Sequence, residues 1–451
     1  MADRSFAKAI WGALDLPGAA LNRLTASGAE ELPSAFAVTD FAAATIGTAA
    51  LAVSELGGQE APVAVDRRLA SLWFGWSIQP LGWAVPPPWD AIAGDYQAAD
   101  SWIRLHTNAS HHRASALAVL GCAAEREAVA AAVKSWPAKA LETAIVEAGG
   151  CAAAMRVADA WIGNSQGEAV MREPLIAFTT AAAPAMTWRP SPDRPLTGLR
   201  VLDLTRVLAG PVATRFLAGF GAEVLRIDPP EWDEPGVVPE VTVGKKCARL
   251  DLRSAADRAI FERLLSNADI LVHGYRSDAL EALGYGEERR RAIRPGLIDV
   301  ALDAYGWSGP WRHRRGFDNL VQMSCGIAAA GMLWKGADKP TPLPVQALDH
   351  GCGYLVAAAV IRGLIARVRG EGAMAARLSL ARTAALLTAI EAGPSDPALA
   401  AIGDADFESV EERTSWGPAR RLRAPMRIDG ADWRWDRPAT ALGSAPPIWG
   451  D

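Results

Sequence analysis

Long apolar runs, paired cysteines, an excess of cations and a glycine-rich phosphate fingerprint are all missing from this 451-residue chain, and each absence removes a class of function. The most apolar stretch, Gly353 to Val368, is shorter than a bilayer span and carries Arg362 and Arg367, so no membrane-spanning role is expected. Acids and arginine stand near the N-terminus where a secretory signal has an apolar core, which points to the cytoplasm. The five cysteines (Cys122, Cys151, Cys247, Cys325, Cys352) are scattered, odd in number and without CxxC spacing; neither a disulfide framework nor a zinc site is indicated. Net charge is −5 with the signs mixed, which leaves no basic stripe for nucleic acid and no polybasic patch for a membrane surface. The loop Arg206-Val-Leu-Ala-Gly-Pro211 follows a strand-like run but lacks GxGxxG, so a bound dinucleotide is not expected.

What the chain has is apolar mass and a change of pattern. Half of its residues are apolar and 22% charged, enough to bury one large core or two ordinary ones. From Leu196 the pattern predicts strands at 201–205, 223–228, 270–273 and 297–302, with helices at 212–219 and 255–266 between them. The fold class is therefore α/β, a Rossmann-like parallel sheet with a smaller α/β domain, and ligand chemistry belongs at the carboxyl ends of the strands. Ahead of this region, Ser101 to His106 reads as a strand and two Ala-rich helices follow, around His112–Leu120 and Ala138–Glu147. Trp73 to Trp89, rich in Trp, Pro and Gly, reads as a linker that packs.

One acid stands out. In Pro344-Val-Gln-Ala-Leu-Asp-His-Gly-Cys-Gly353 the carboxylate of Asp349 falls at the start of a long apolar helix, a setting that can present a nucleophile and equally one that uses Asp as a helix cap. Phe36 to Leu51 parallels Val345 to Val360, each followed by a short strand, and this partial internal repeat sets Asp40 opposite Asp349. Two Ala-rich helices also look alike without common origin.

The chain resembles the class III CoA-transferase family, which includes the related α-methylacyl-CoA racemases. The resemblance is carried by Leu196 to Pro211, Gly219 to Asp228, Lys245 to Arg253, Ala268 to Val272, Gly306-Trp-Ser-Gly-Pro310, Arg315-Gly-Phe-Asp318 and the Asp349 helix, in the family's order. Trp102 to Arg113, Ala160 to Gly167 and Arg421 to Gly450 are similar to the family's second half, so the segments stand in a rearranged order. The organisation this implies is 1–90, a partial copy of the Asp-helix half with the Trp/Pro-rich linker; 91–190, a small domain with a return segment; 191–390, the CoA-binding large domain; and 391–451, a tail that returns to it.

The resemblance implies CoA transfer between an acyl-CoA and a carboxylic acid, through an aspartyl anhydride and an aspartyl-CoA thioester, with Asp349 as nucleophile. It sets Leu208, Ala209, Leu250, Arg253, Tyr275, Arg276 and Arg315 at CoA-contacting positions, Arg253 and Arg315 being the favoured charges. CoA is a substrate here; no cofactor and no metal are required. Asp40 is expected to be a second nucleophile or a degenerate copy, since no CoA-binding half lies near it in sequence. Gly351 and Gly353 are read as keeping the approach to Asp349 open, and its carboxylate as ionised at neutral pH without a helper base. The departures are Gly274 where the family usually has Asn, Ala282 where it often has Arg, and Phe317 where its racemases have a His. Phe carries no titratable proton, which argues against two-base racemisation. His106, His111 and His112 could be offered as a metal site, but adjacent histidines point apart and no acid or Cys stands at ligand spacing. The alternatives are a non-catalytic acyl-CoA-binding paralogue and a racemase or isomerase of the same family. Family members are interlocked homodimers; this chain is expected to pair likewise or to build an intramolecular pseudo-dimer.

Overall fold

In a computed structural model, which describes residues 2–58, 60–393 and 397–450, the region after Leu196 forms a seven-stranded sheet. Its spatial order is Lys245–Arg249, Glu223–Asp228, Arg200–Leu204, Ile270–His273, Ile298–Asp303, Ala373–Ser379 and Ala177–Ala181. The first six strands are parallel and the last is antiparallel. The chain starts at Arg200–Leu204, winds outward to one edge and returns to Ile270–His273 on the other side, so strand order reverses between these two. That reversal opens a crevice at their carboxyl ends, where doubly wound sheets hold ligands.

Alternation along the strands feeds two cores. Val201, Val224, Ile270, Val272, Ile298 and Val300 face one, with Phe216 and Leu355 from covering helices; Leu202, Leu204, Leu225, Ile227 and Leu271 face the other, with Phe261 and Leu265. The edge strand Lys245–Arg249 has no such alternation. It is held instead by Lys245, fully buried, whose ammonium lies 3.0 Å from Asp203 and donates to Thr214 Oγ1 at 2.6 Å. A buried charge persists only when paired and hydrogen-bonded in this way.

The helix Ala347–Arg369 is long and apolar enough to cross a bilayer, a correction to its shorter appearance in sequence. It is buried along nearly all of its length, however, against the sheet and the helix Val38–Leu56. A mostly apolar helix suits the centre of a large core, and its arginines are met there, Arg362 by the Leu14 carbonyl oxygen at 3.0 Å and Arg367 by that of Pro184 at 2.7 Å.

The N-terminal segment repeats part of this geometry. Ala37, before Val38–Leu56, has φ −74° and ψ 61°; Gln346, before Ala347–Arg369, has φ −75° and ψ 64°. In both places the first helical N–H donates back two residues at 2.8 Å, Val38 to Phe36 and Ala347 to Val345, an inverse γ-turn that launches the helix. Asp40 and Asp349 are each the third helical residue. Each helix leads to a strand, Val63–Asp66 or Ala373–Ser379, whose last side chain caps a short helix: Asp66 accepts from Leu69 N–H and Ser379 from Arg382 N–H, both at 3.1 Å. Each strand has one parallel neighbour, Leu24–Ser27 or Ile298–Asp303, and one antiparallel neighbour, Met426–Ile428 or Ala177–Ala181. Beyond Ile298–Asp303 the large sheet continues for four more strands; the N-terminal sheet stops at Leu24–Ser27.

Residues 94–154 form an antiparallel sheet, Gly94–Gln97, Trp102–Leu105 and Ala152–Ala154, under three helices, Ser110–Leu120, Arg126–Val133 and Ala138–Glu147. The middle helix is one more than the sequence pattern predicts. The Trp/Pro-rich stretch contains a strand, Ile78–Pro80, which pairs with Gly417–Arg421. The tail thus joins the N-terminal part before Ala445 reaches the large sheet's edge at Cys247.

Candidate active site

A cleft of about 430 Å³ opens at the carboxyl ends of the large sheet, roofed by the helix Ser110–Leu120 of the small domain. Leu208 and Ala209 reach it from the loop after the first strand, Leu250 and Arg253 from beyond Lys245–Arg249, Tyr275 and Arg276 from beyond Ile270–His273. Arg315 and Phe317 close one wall, and Asp349 stands among them. The eight residues set together by the resemblance thus line one space, although 141 positions separate Leu208 from Asp349 in sequence. Asp40 does not line it. Val207, in the first loop, holds φ 62°, a conformation a β-branched residue adopts only under constraint; its N–H is tied to Glu234 at 2.9 Å.

Asp349 is 8% exposed, and its carboxylate makes no hydrogen bond or ion pair with any described residue. A second acid sits behind it. Asp318, the first residue of the helix Asp318–Ser324, accepts from Leu348 N–H at 2.9 Å and Asp349 N–H at 3.0 Å, and also from the Gln322 amide. It caps the Asp349 helix from outside, since Gln346 makes no side-chain cap. Burial and the Asp318 charge push the Asp349 carboxyl well above the usual carboxylate range, and burial raises Asp318 to about 6 against the pull of its hydrogen bonds. Asp318, with three donors, is the acid that better tolerates charge; Asp349, with none, is the one whose ionisation the site opposes more. This upward shift runs against the expectation of a carboxylate that ionises without help.

The glycines do a different job from the one expected. A Cβ at Gly351 would lie 2.2 Å from the Phe41 ring, and one at Gly353 would lie 2.5 Å from Ala209 carbonyl oxygen. They let the Asp349 helix pack closely against Phe41, Ala209 and Val212, and the space beside each glycine is filled by these neighbours.

The cations of the cleft differ in availability. Arg253 is 66% exposed and already paired, with Asp251 at 2.7 Å and Glu231 at 3.1 Å. Arg276 lies 3.5 Å from Asp278. Arg315 has no carboxylate partner among the described residues and makes only a long hydrogen bond to Gly149 carbonyl oxygen, 3.4 Å. Arg206, not singled out in sequence, is held between Trp232 and Tyr275, its guanidinium carbon 4.3 and 4.8 Å from their ring centres. Asp303, also unforeseen, lines the cleft at the end of its strand with Oδ2 unpartnered, and burial followed by Glu173 pushes it well upward. Gly274 has space beside it, for a Cβ there would make only ordinary contacts with Leu302 at 3.6 Å; Ala282 is exposed.

His106 is stacked on Phe317 with ring centres 3.7 Å apart and approaches Asn319 at 3.3 Å; His112 meets the edge of the same ring. No group of three His, Cys, Asp or Glu among the described residues is arranged to hold a metal ion.

Residues 196–440 match the family model described as CoA-transferase family III. Over 193 residues the chain is 34% identical to a probable fatty acyl-CoA transferase of Mycobacterium tuberculosis, covering 40% of this chain and 48% of that protein. Over 206 residues it is 32% identical to the succinyl-CoA:glutarate CoA-transferase of Mus musculus, covering 41% and 46%. A crystal structure of the Mycobacterium tuberculosis protein superposes with a TM-score of 0.40 at 30% identity, over 44% of this chain and 59% of that one. The chain spans about half the length of the curated relatives it matches.

Proposed function

The chain belongs to CoA-transferase family III, and on that footing we propose that it moves coenzyme A from an acyl-CoA to a carboxylic acid with Asp349 as the nucleophile. Ionised Asp349 attacks the thioester carbonyl and expels the CoA thiolate, leaving an acyl-aspartyl anhydride. The thiolate then attacks the aspartyl carbonyl, the first acid departs as carboxylate, and CoA is held as an aspartyl thioester. The acceptor carboxylate attacks that carbonyl, again freeing the thiolate, which takes the acyl group from the new anhydride and restores Asp349. Each displacement exchanges one activated acyl bond for another, so no outside energy source or redox partner is needed.

The observation that carries this reading is a carboxylate with no partner among the described residues, at the start of a buried helix, inside the cleft that also gathers the positions the resemblance assigns to CoA. Leu208, Ala209, Leu250, Tyr275 and Arg276 would meet the nucleotide and pantetheine, and Arg315 the end nearest Asp349. Asp318 serves as a positioning residue. Burial and the Asp318 charge together oppose ionisation of Asp349, so the attacking form is reached more readily as pH rises.

Phe317, stacked on His106, offers no proton for racemisation, which favours transfer over that alternative. We read the N-terminal segment as a degenerate copy of the Asp-helix half. The chain would then carry part of a pseudo-dimer within itself, and Asp40 would be structural. Five free cysteines fit work in the cytoplasm.

The test is intact-protein mass spectrometry after incubation with acyl-CoAs, with hydroxylamine or borohydride trapping. An adduct found in wild type and Asp40→Ala but lost in Asp349→Ala supports transfer; CoA binding without any adduct supports a binding-only paralogue.

A further inference from the structure

We infer that His112 is a substrate contact: it hydrogen-bonds the distal carboxylate of a dicarboxylic acid whose other carboxyl reacts at Asp349. The inference rests on the transfer reading and names its substrate class.

His112 lies in the small-domain helix Ser110–Leu120 and is 3% exposed, yet neither Nδ1 nor Nε2 has a hydrogen-bond partner among the described residues. Buried polar groups are almost always satisfied, so an imidazole with two empty nitrogens at the wall of a cleft is waiting for a ligand atom. His106 is the contrast: it lies against the same Phe317 ring but is stacked on its face and turned to Asn319.

Position selects the ligand. The His112 ring meets Phe317 edge-on at 6.0 Å, and the residue after Phe317 is Asp318, whose carboxylate holds Asp349 by its N–H. His112 and Asp349 thus line the same cleft, joined through the Phe317–Asp318 wall.

Charge selects its chemistry. Arg315 stands close enough to help burial and His111 depress the His112 imidazole to about 3, and it has no carboxylate of its own. A neutral ring N–H beside an unmatched guanidinium suits an anionic oxygen. An acyl chain ending in a methyl group would leave both nitrogens and the guanidinium unmet.

The experiment uses the full chain as wild type, His112→Phe and His112→Gln, with one acyl-CoA donor and two acceptors of matched length, glutarate and pentanoate. The expected result is that His112→Phe raises the glutarate KM about tenfold or more relative to the pentanoate KM, with partial recovery in His112→Gln. Equal shifts for both acids, a shift confined to the acyl-CoA KM, or no shift overturns the inference. Titration calorimetry of glutarate into each protein separates the two readings. Binding of glutarate that depends on His112, with no transfer to any acid, would defeat the transfer reading and leave the subsite standing. Transfer with no His112-dependent glutarate binding would do the reverse. Should His112→Phe not fold, His112→Leu, apolar and smaller, carries the same comparison.

Discussion

The carboxylate of Asp318 accepts the backbone N–H of Asp349 at 3.0 Å, so one buried acid caps the helix that presents another. The arrangement fixes the position of Asp349 while opposing its ionisation, and it gives the site a pH dependence that a solitary aspartate would lack.

Replacing Asp318 by Asn keeps a carbonyl oxygen near the two N–H groups and removes the charge. The Asp349 carboxyl then titrates lower, and since in the proposed mechanism the ionised form attacks, the rising limb of rate against pH moves to more acidic pH. A pH profile of kcat/KM for acyl-CoA measures this; an unmoved limb would show that the two acids are not coupled in the working enzyme.

Asp349→Asn abolishes turnover, by about a thousandfold or more, and stabilises the protein. The sign follows from linkage: folding raises this carboxyl above its unfolded value, so the folded state binds the proton more tightly and wild type loses stability as pH climbs from the ordinary carboxylate range through the raised one. Asn has no proton to lose. The variant's melting temperature should exceed wild type's at pH 8, with the gap closing toward pH 4.

Arg253→Gln changes the acyl-CoA KM by less than about threefold, because an exposed arginine already matched by two acids has little to offer a phosphate. A tenfold rise in KM would restore it to the role its sequence position gives it.

Asp40→Asn leaves the trapped adduct and the turnover of wild type in place. Its cost is the ion pair with Arg67, 2.6 Å and part-buried, worth about 1 kcal/mol. A chemical denaturation curve measures that loss, and a vanished adduct would make Asp40 a reacting group.

Gly351→Val drives a side chain into the Phe41 ring and costs about 1–3 kcal/mol through overpacking. Melting with and without CoA checks this; full stability with blocked activity would return Gly351 to the role of guarding the approach.

Much of this fold is written in local pattern. Glu223–Asp228, Ala255–Ser266 and Ile270–His273 are read from sequence to the residue, because apolar alternation and helical spacing agree there with the tertiary environment. Lys245–Arg249 is not, since its one inward charge is neutralised by Asp203, 42 positions away. The cleft shows the same divide. A series of short motifs brings seven contact positions and Asp349 to one place, but Asp318 is visible only as part of a motif, because the N–H groups it accepts from lie 30 and 31 residues downstream. Asp303 and Arg206 give no signal in sequence, for one is defined by what fails to reach it and the other by rings from two separate loops. Gly351 misleads because small residues beside an acid suggest access, when the space belongs to Phe41.

The strand Val63–Asp66 takes its antiparallel neighbour from Met426–Ile428, and Ile78–Pro80 takes its own from Gly417–Arg421. On the ribosome these early strands wait more than three hundred residues for their partners, while the large sheet between them has every strand it needs to close. Synthesis and pairing therefore run in opposite order for these strands: made before the large sheet, they are paired after it, and an interruption late in translation would leave a formed cleft beside strands still without their partners.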